Sequence, residues 1–309
     1  MAERSHPGHP HAHAVEVGQH RGRLAVVLAV TVGVLVAELV GAALTGSLAL
    51  LADAGHMLTD VAGLATALVA AHLATRPATS SRTWGFRRAE VLGAALQAAV
   101  LLVVGVLILV EGVRRLVAPP EVPSGLLLLF GVVGLVGNLV GLALLAGARG
   151  SNLNLRAAFL EVLADALGSV AVIVAAVVMA TTGWWRADAL ASLLIGALIV
   201  PRTVALLRET VHVLMESTPR GLDLDRVRQR ILGVPHVTDV HDLHATLVAT
   251  GLPVLTAHVV VEESCFHDGH LASLLDELQG CLSDDFDVTH STIQFEAAGH
   301  ADHEHPTHA

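Results

Sequence analysis

With 309 residues, 53% of them hydrophobic and only 15% charged, the chain has the composition of a membrane protein rather than that of a large soluble enzyme. A formal charge of −10 argues against a nucleic-acid surface. The only cysteines, Cys265 and Cys281, lack C-x-x-C spacing, which argues against a disulfide scaffold or a zinc ribbon.

Residues 1–23 are polar and carry His6, His9, His11, His13 and His20. Too little apolar surface is available there for a packed core, so the composition predicts an unstructured cytosolic tail, either a weak collector of metal or a flexible leader without a role. Six apolar runs follow, at about 24–45, 48–74, 89–117, 124–147, 154–180 and 185–208, each long enough to cross a bilayer. A three-residue link, Thr45-Gly46-Ser47, makes a hairpin of the first two. Arg4, Arg21 and Arg23 precede the first run, Arg76, Arg82, Arg87 and Arg88 lie between the second and third, and Arg149 and Arg156 flank the loop between the fourth and fifth. The opposite side has only Arg114, Arg115 and Arg186, so the positive-inside rule predicts cytoplasmic termini and a place for Trp184-Trp185 in an outer aromatic belt.

The stretch 47–64 is apolar yet carries Asp53, His56 and Asp60. Ionisable groups at membrane depth are costly and point to a function facing the protein interior. His56 and Asp60 are four apart, one turn above each other on a helix, and Glu161 and Asp165 repeat the pattern in the fifth run. Two helices that each present two such ligands can close a four-ligand site for a divalent cation. One imidazole with up to three carboxylates suits zinc and its first-row neighbours, and more oxygen shifts the preference towards manganese. Without metal, three crowded carboxylates would hold protons, so the set predicts proton–metal exchange. Asp53 reads as a proton relay or as a polar group near the outer interface. Gly131, Gly134, Gly137 and Gly141 in the fourth run predict close helix packing, with Asn138 and Gln97 as interhelical hydrogen-bonding groups.

After about residue 209 the composition changes. Helical periodicity over 222–232, β-rich runs at 237–247 and 254–261, a helix over 270–282 and a strand over 288–296 predict a small two-layer α+β domain. A second His-rich tail, with His300, His303, His305 and His308, closes the chain.

Residues 47–64, Arg82-Thr83-Trp84-Gly85-Phe86-Arg87-Arg88-Ala89-Glu90, residues 157–169, His241-Asp242-Leu243-His244 and Leu255-Thr256-Ala257-His258 together resemble the cation diffusion facilitators. The nearest branch is that of the bacterial cobalt–zinc–cadmium resistance exporters, and the likeness extends over about 24–297. It implies a homodimeric inner-membrane transporter, not an enzyme, which exports zinc-like cations against protons by alternating access. The fold it implies is a six-helix transmembrane bundle with a C-terminal cytosolic α+β ferredoxin-like domain. The implied organisation is a tail (1–23), a transport domain (24–208), a metal-sensing and dimerisation domain (209–297) and a tail (298–309). The implied transport ligands are His56, Asp60, Glu161 and Asp165. In the cytosolic domain they are His241, His258, His270 and Glu296, with His244, His267, Cys265 and His290 nearby. Zinc is then transported substrate and regulator, the other partners are protons and membrane lipid, and no organic cofactor or nucleic acid is implied.

Three departures qualify the resemblance. The branch has His where Glu161 stands, which leaves manganese, iron or cobalt open beside zinc. Arg82 and Phe86 stand where some relatives carry further metal-binding histidines after the second helix. The His-rich loop between the fourth and fifth helices is missing, and the His-rich tails are its replacement. A membrane metalloenzyme would need a water-activating motif such as H-E-x-x-H, which is absent. A non-transporting metal sensor would have no need of four buried ligands in the bundle.

Overall fold

Long unbroken apolar runs make helices, because only internally hydrogen-bonded backbone is stable in lipid. The computed structural model describes the backbone of residues 11–146 and 153–300; side chains are described for 26–146, save those of 60, 64, 67, 68, 71 and 74, and for 159–300. Six long helices come first: α1 (His11–Thr45), α2 (Leu48–Ala74), α3 (Ala89–Val117), α4 (Ser124–Ala146), α5 (Leu153–Thr182) and α6 (Arg186–Leu214). Among the described residues, five of them (all but α2) contain a stretch long and apolar enough to cross a membrane. α1 begins at His11, just past Pro10, so residues 11–23, expected to be unstructured, instead extend the helix of the apolar run, since lengthening a formed helix costs less than starting one. His6, His9 and the histidines after residue 300 lie outside the described residues.

The chain divides into two compact units, Met1–Ala65 with Gln97–Ala205, and Thr66–Leu96 with Leu206–Ala309. In the first unit, α4 packs against both α1 and α5. Its buried residues, Leu127, Gly131, Gly134, Asn138, Gly141 and Leu145, recur every three or four positions and form one stripe. A Cβ at Gly131 would lie 3.0 Å from Ile173 of α5, and one at Gly141 would lie 3.1 Å from Val162, so the glycines let the helices approach closely. Gln97 donates from α3 to the Thr59 carbonyl of α2 at 2.6 Å, the interhelical hydrogen bond expected of it.

The α1–α2 turn is built around Gly46, whose φ of +67° is the left-handed conformation glycine tolerates. The buried Asp188, in the first turn of α6, accepts from the Leu48 amide at 2.8 Å, the Ala49 amide at 3.3 Å and the Ser47 hydroxyl. These amides have no partner within α2, so a side chain of another helix caps it. Arg115 of α3 donates to the Gly46 carbonyl at 2.7 Å and stands 3.8 Å from Asp188.

In the second unit, α7 (Leu224–Leu232), β1 (Val237–Ala249), β2 (Leu252–Val261), α8 (Leu271–Phe286) and β3 (His290–Glu296) keep the expected α-β-β-α-β order. The turn is shorter than Thr250–Pro253: Gly251 at φ +72° lets β2 start at Leu252. The sheet order is β1-β2-β3, with β1–β2 antiparallel and β2–β3 parallel. Val227 and Ile231 of α7 and Leu274, Leu278 and Leu282 of α8 are fully buried with Val240, Leu255 and Val259 of the sheet. Asp223 caps α7 through its side chain. Trp84, in the segment between α2 and α3, packs edge-on to His290 with 4.9 Å between ring centres.

Candidate metal sites

α2 and α5 bring one residue of each half of the first ligand set together, His56 and Asp165. His56 is 9% exposed and Asp165 3% exposed, and Nε2 of one stands 3.9 Å from Oδ1 of the other. Two buried ligand types at that separation are pre-placed to share one cation between helices. Thr59, one turn further along α2, donates to the His56 carbonyl at 2.6 Å. Glu161, one turn before Asp165, is a third exposed and accepts from Arg202 Nη2 of α6 at 3.0 Å. Asp60 is in α2, but its side chain lies outside the described residues.

Three further charged groups of this unit lie outside the ligand set read from the sequence. Asp188 is the helix cap described above. Arg202 follows Pro201, which removes one backbone donor inside α6. Glu38 of α1 is 1% exposed, more deeply buried than any of the expected ligands whose side chains are described. A signal for it exists, since it is the only acidic residue in the first apolar run. The four-residue pairing that marks the other ligands does not reach it, because it has no charged neighbour one turn away on α1.

The second constellation is in the sheet. His241 and His258 face each other across β1 and β2, with rings 5.2 Å apart. Glu296, buried near the end of β3, reaches both: Oε2 is 3.2 Å from His241 Nε2 and Oε1 is 2.8 Å from His258 Nδ1. One ligand atom from each of the three lies within 4.8 Å of the others. Two imidazole nitrogens and a carboxylate oxygen suit a zinc-like ion with a fourth position to fill. Asp242, not singled out from the sequence, is 3.5 Å from His258 Nε2. It stands at a pairing irregularity between His241 and His244, where its φ of +47° turns the strand.

His270 does not join this cluster within the chain: it begins α8 and its ring packs on His236 at 4.9 Å. Its amide is held by Asp268 at 2.9 Å. His244 pairs with Asp242 at 2.7 Å, His267 lies 3.5 Å from Glu263, and Cys265 is buried in the domain core.

The profile of the cation efflux transmembrane domain matches residues 24–215, and that of the cation efflux protein cytoplasmic domain matches 219–298. The metal cation efflux system protein CzcD of Cupriavidus metallidurans is 42% identical over 94% of this chain and 90% of its own length. The zinc transporter ZitB of Escherichia coli is 39% identical over 96% and 98%. A cadmium, cobalt and zinc/H(+)-K(+) antiporter of Bacillus subtilis is 34% identical over 95% and 93%. Among solved structures, the metal-bound C-terminal domain of the CzcD transporter is 41% identical, covering 24% of this chain and 99% of its own, with a TM-score of 0.22. With both domain profiles matched over nearly the whole chain and apolar helices of membrane length, the protein belongs to the cation diffusion facilitator family, cobalt–zinc–cadmium branch, and is a multi-pass inner-membrane transporter for divalent metal efflux rather than an enzyme.

Proposed function

We propose that the protein exports Zn2+ from the cytoplasm in exchange for protons, as a homodimer with both termini cytoplasmic. His56 and Asp60 of α2 with Glu161 and Asp165 of α5 are the transport ligands. The observation that carries this is the buried approach of His56 to Asp165 from two helices, 3.9 Å apart inside an apolar bundle. A carboxylate in that setting needs a compensating cation, and metal and proton are the two that a transporter can alternate. Residues 24–208 form the transport domain and 209–297 the metal-sensing and dimerisation domain. There His241, His258 and Glu296 hold a regulatory ion, with His270 a member of the set only if a partner protomer supplies what its own chain does not.

A second reading, export of manganese, iron or cobalt, is favoured by Glu161, which makes the ligand set richer in oxygen. Metal uptake into inside-out vesicles under an imposed proton gradient separates the two. Asp165→Ala is expected to lower zinc uptake by at least about 100-fold, since even the loss of a group that only orients a ligand costs about 10–100-fold. Uptake of manganese but not zinc by the wild type would replace the first reading with the second. Uptake of no metal, where a known exporter works, would end both.

A further inference from the structure

Glu38 is assigned to neither metal site, yet it is buried in the bundle at 1% exposure. Opposite it is Asp53 of α2, 2% exposed, and beside both are Ser169 of α5 at 1% and Asn138 of α4 at 2%. Two glycines leave the room they occupy. A Cβ at Gly134 would lie 2.7 Å from Glu38 Oε1 and 3.0 Å from Ser169 Oγ, and one at Gly168 would collide with Asp53 Oδ1. The donors run in one chain: Asn138 donates to Ser169 Oγ at 3.3 Å, which frees the Ser169 hydroxyl to donate to Asp53. That chain ends there. Both oxygens of Glu38 and Oδ2 of Asp53 are buried and receive no hydrogen bond from an N–H or hydroxyl among the described residues, and the two carboxyls meet each other at hydrogen-bond range.

Buried acceptors facing acceptors repel unless a positive species stands between them. The charged groups that act on Glu38 are Asp53 from α2 and Asp165 from α5, both acidic; α4 contributes the neutral Asn138. All the available ligand atoms are oxygens, and two carboxyls within hydrogen-bond reach of each other fit a shared proton rather than zinc. Asp53 stands three residues before His56, and Ser169 four residues after Asp165, so the cluster lies about one turn from the His56–Asp165 pair on the same two helices.

We propose that the carboxyls of Glu38 and Asp53, backed by Ser169 and Asn138, form a separate binding site for the counter-ion, a proton held between them. The inference rests on the exchange reading above and deepens it. Metal and counter-ion then occupy neighbouring sites that share α2 and α5, so movement of those helices couples them in addition to the exchange at the His56–Asp165 pair.

The test uses the full-length protein, wild type beside Glu38→Gln, Glu38→Asp, Asp53→Asn and Asp165→Ala. Zinc binding at equilibrium is measured in detergent. Zinc accumulation is measured in proteoliposomes under a pH gradient at uniform potassium, and under a potassium gradient at uniform pH. Glu38→Gln and Asp53→Asn are expected to bind zinc as the wild type does while losing gradient-driven accumulation by about 5- to 150-fold, the usual span of a coupling free energy. Glu38→Asp, which keeps the carboxylate, retains accumulation. Accumulation driven by the potassium gradient and not by the pH gradient overturns the assignment of the ion as a proton. Wild-type accumulation in both neutral variants overturns the proposal, as does loss of equilibrium binding to the extent seen in Asp165→Ala. A wild type that moves no metal in either arm overturns the exchange reading, and this one with it.

Discussion

The Glu161–Arg202 pair decides how many negative charges the transport ligands present to an ion. With His56 neutral, Asp60, Glu161 and Asp165 total −3, and the Arg202 guanidinium 3.0 Å from Glu161 brings the local sum to −2, the charge one divalent ion cancels. Arg202 is 62% exposed, so the pair contributes at most about 1 kcal/mol after solvent screening, or about fivefold in affinity. Arg202→Gln is therefore expected to raise apparent manganese affinity by no more than about fivefold, measured as the transport KM. A lower affinity would show that Arg202 does not compete with the ion for Glu161. Glu161→His is expected to shift the zinc-to-manganese transport ratio towards zinc by about tenfold, because it replaces an oxygen ligand with imidazole nitrogen.

Helix contacts carry stability here through small residues and caps. Gly131→Val would push a branched side chain against Val172 and Ile173, whose nearest atoms lie only 3.2 and 3.0 Å from a Cβ at that position. Overpacking of that kind costs about 1–3 kcal/mol, and thermal unfolding in detergent is expected to shift down by about 2–4 °C for each kcal/mol. Asp188→Ala strips three hydrogen bonds from the start of α2 and leaves Arg115 without its buried carboxylate neighbour. Loss of a cap costs about 0.5–2 kcal/mol, and more where the donors are left buried. Because α2 also carries His56, a lower transport rate is expected to accompany the lower melting temperature. A melting curve identical to wild type would mean that α2 is capped in some other way.

For the molecule as a whole, the two ligand sets predict two separable metal effects. His258→Ala removes the imidazole that lies within 3.5 Å of both Glu296 and Asp242, and should weaken a cytosolic metal site by at least about tenfold. The transport ligands are untouched. Isothermal titration of the full chain should then lose one class of sites, with zinc uptake into vesicles kept at saturating metal. Loss of uptake at all metal concentrations would instead make the cluster part of the transport route.

Much of this was legible in the sequence because it depends on local pattern. Apolar runs of about 20 residues must be helices in lipid, and His56, Asp60, Glu161 and Asp165 at four-residue spacing must share helix faces. The α-β-β-α-β order follows likewise from periodicity and from the turn at Gly251. What only the tertiary structure decided depends on which helices touch. No spacing rule connects Glu38 to Asp53, Asp188 to the start of α2, or Arg202 to Glu161, because each pair joins different helices and helix order in a bundle is not written in hydropathy. In the sheet, the resemblance implied His241 and His258 but not Asp242, which a local irregularity turns towards His258, nor the path that leads His270 to His236 instead. Local hydrogen bonding and burial set the elements; long-range packing of single polar side chains set the sites.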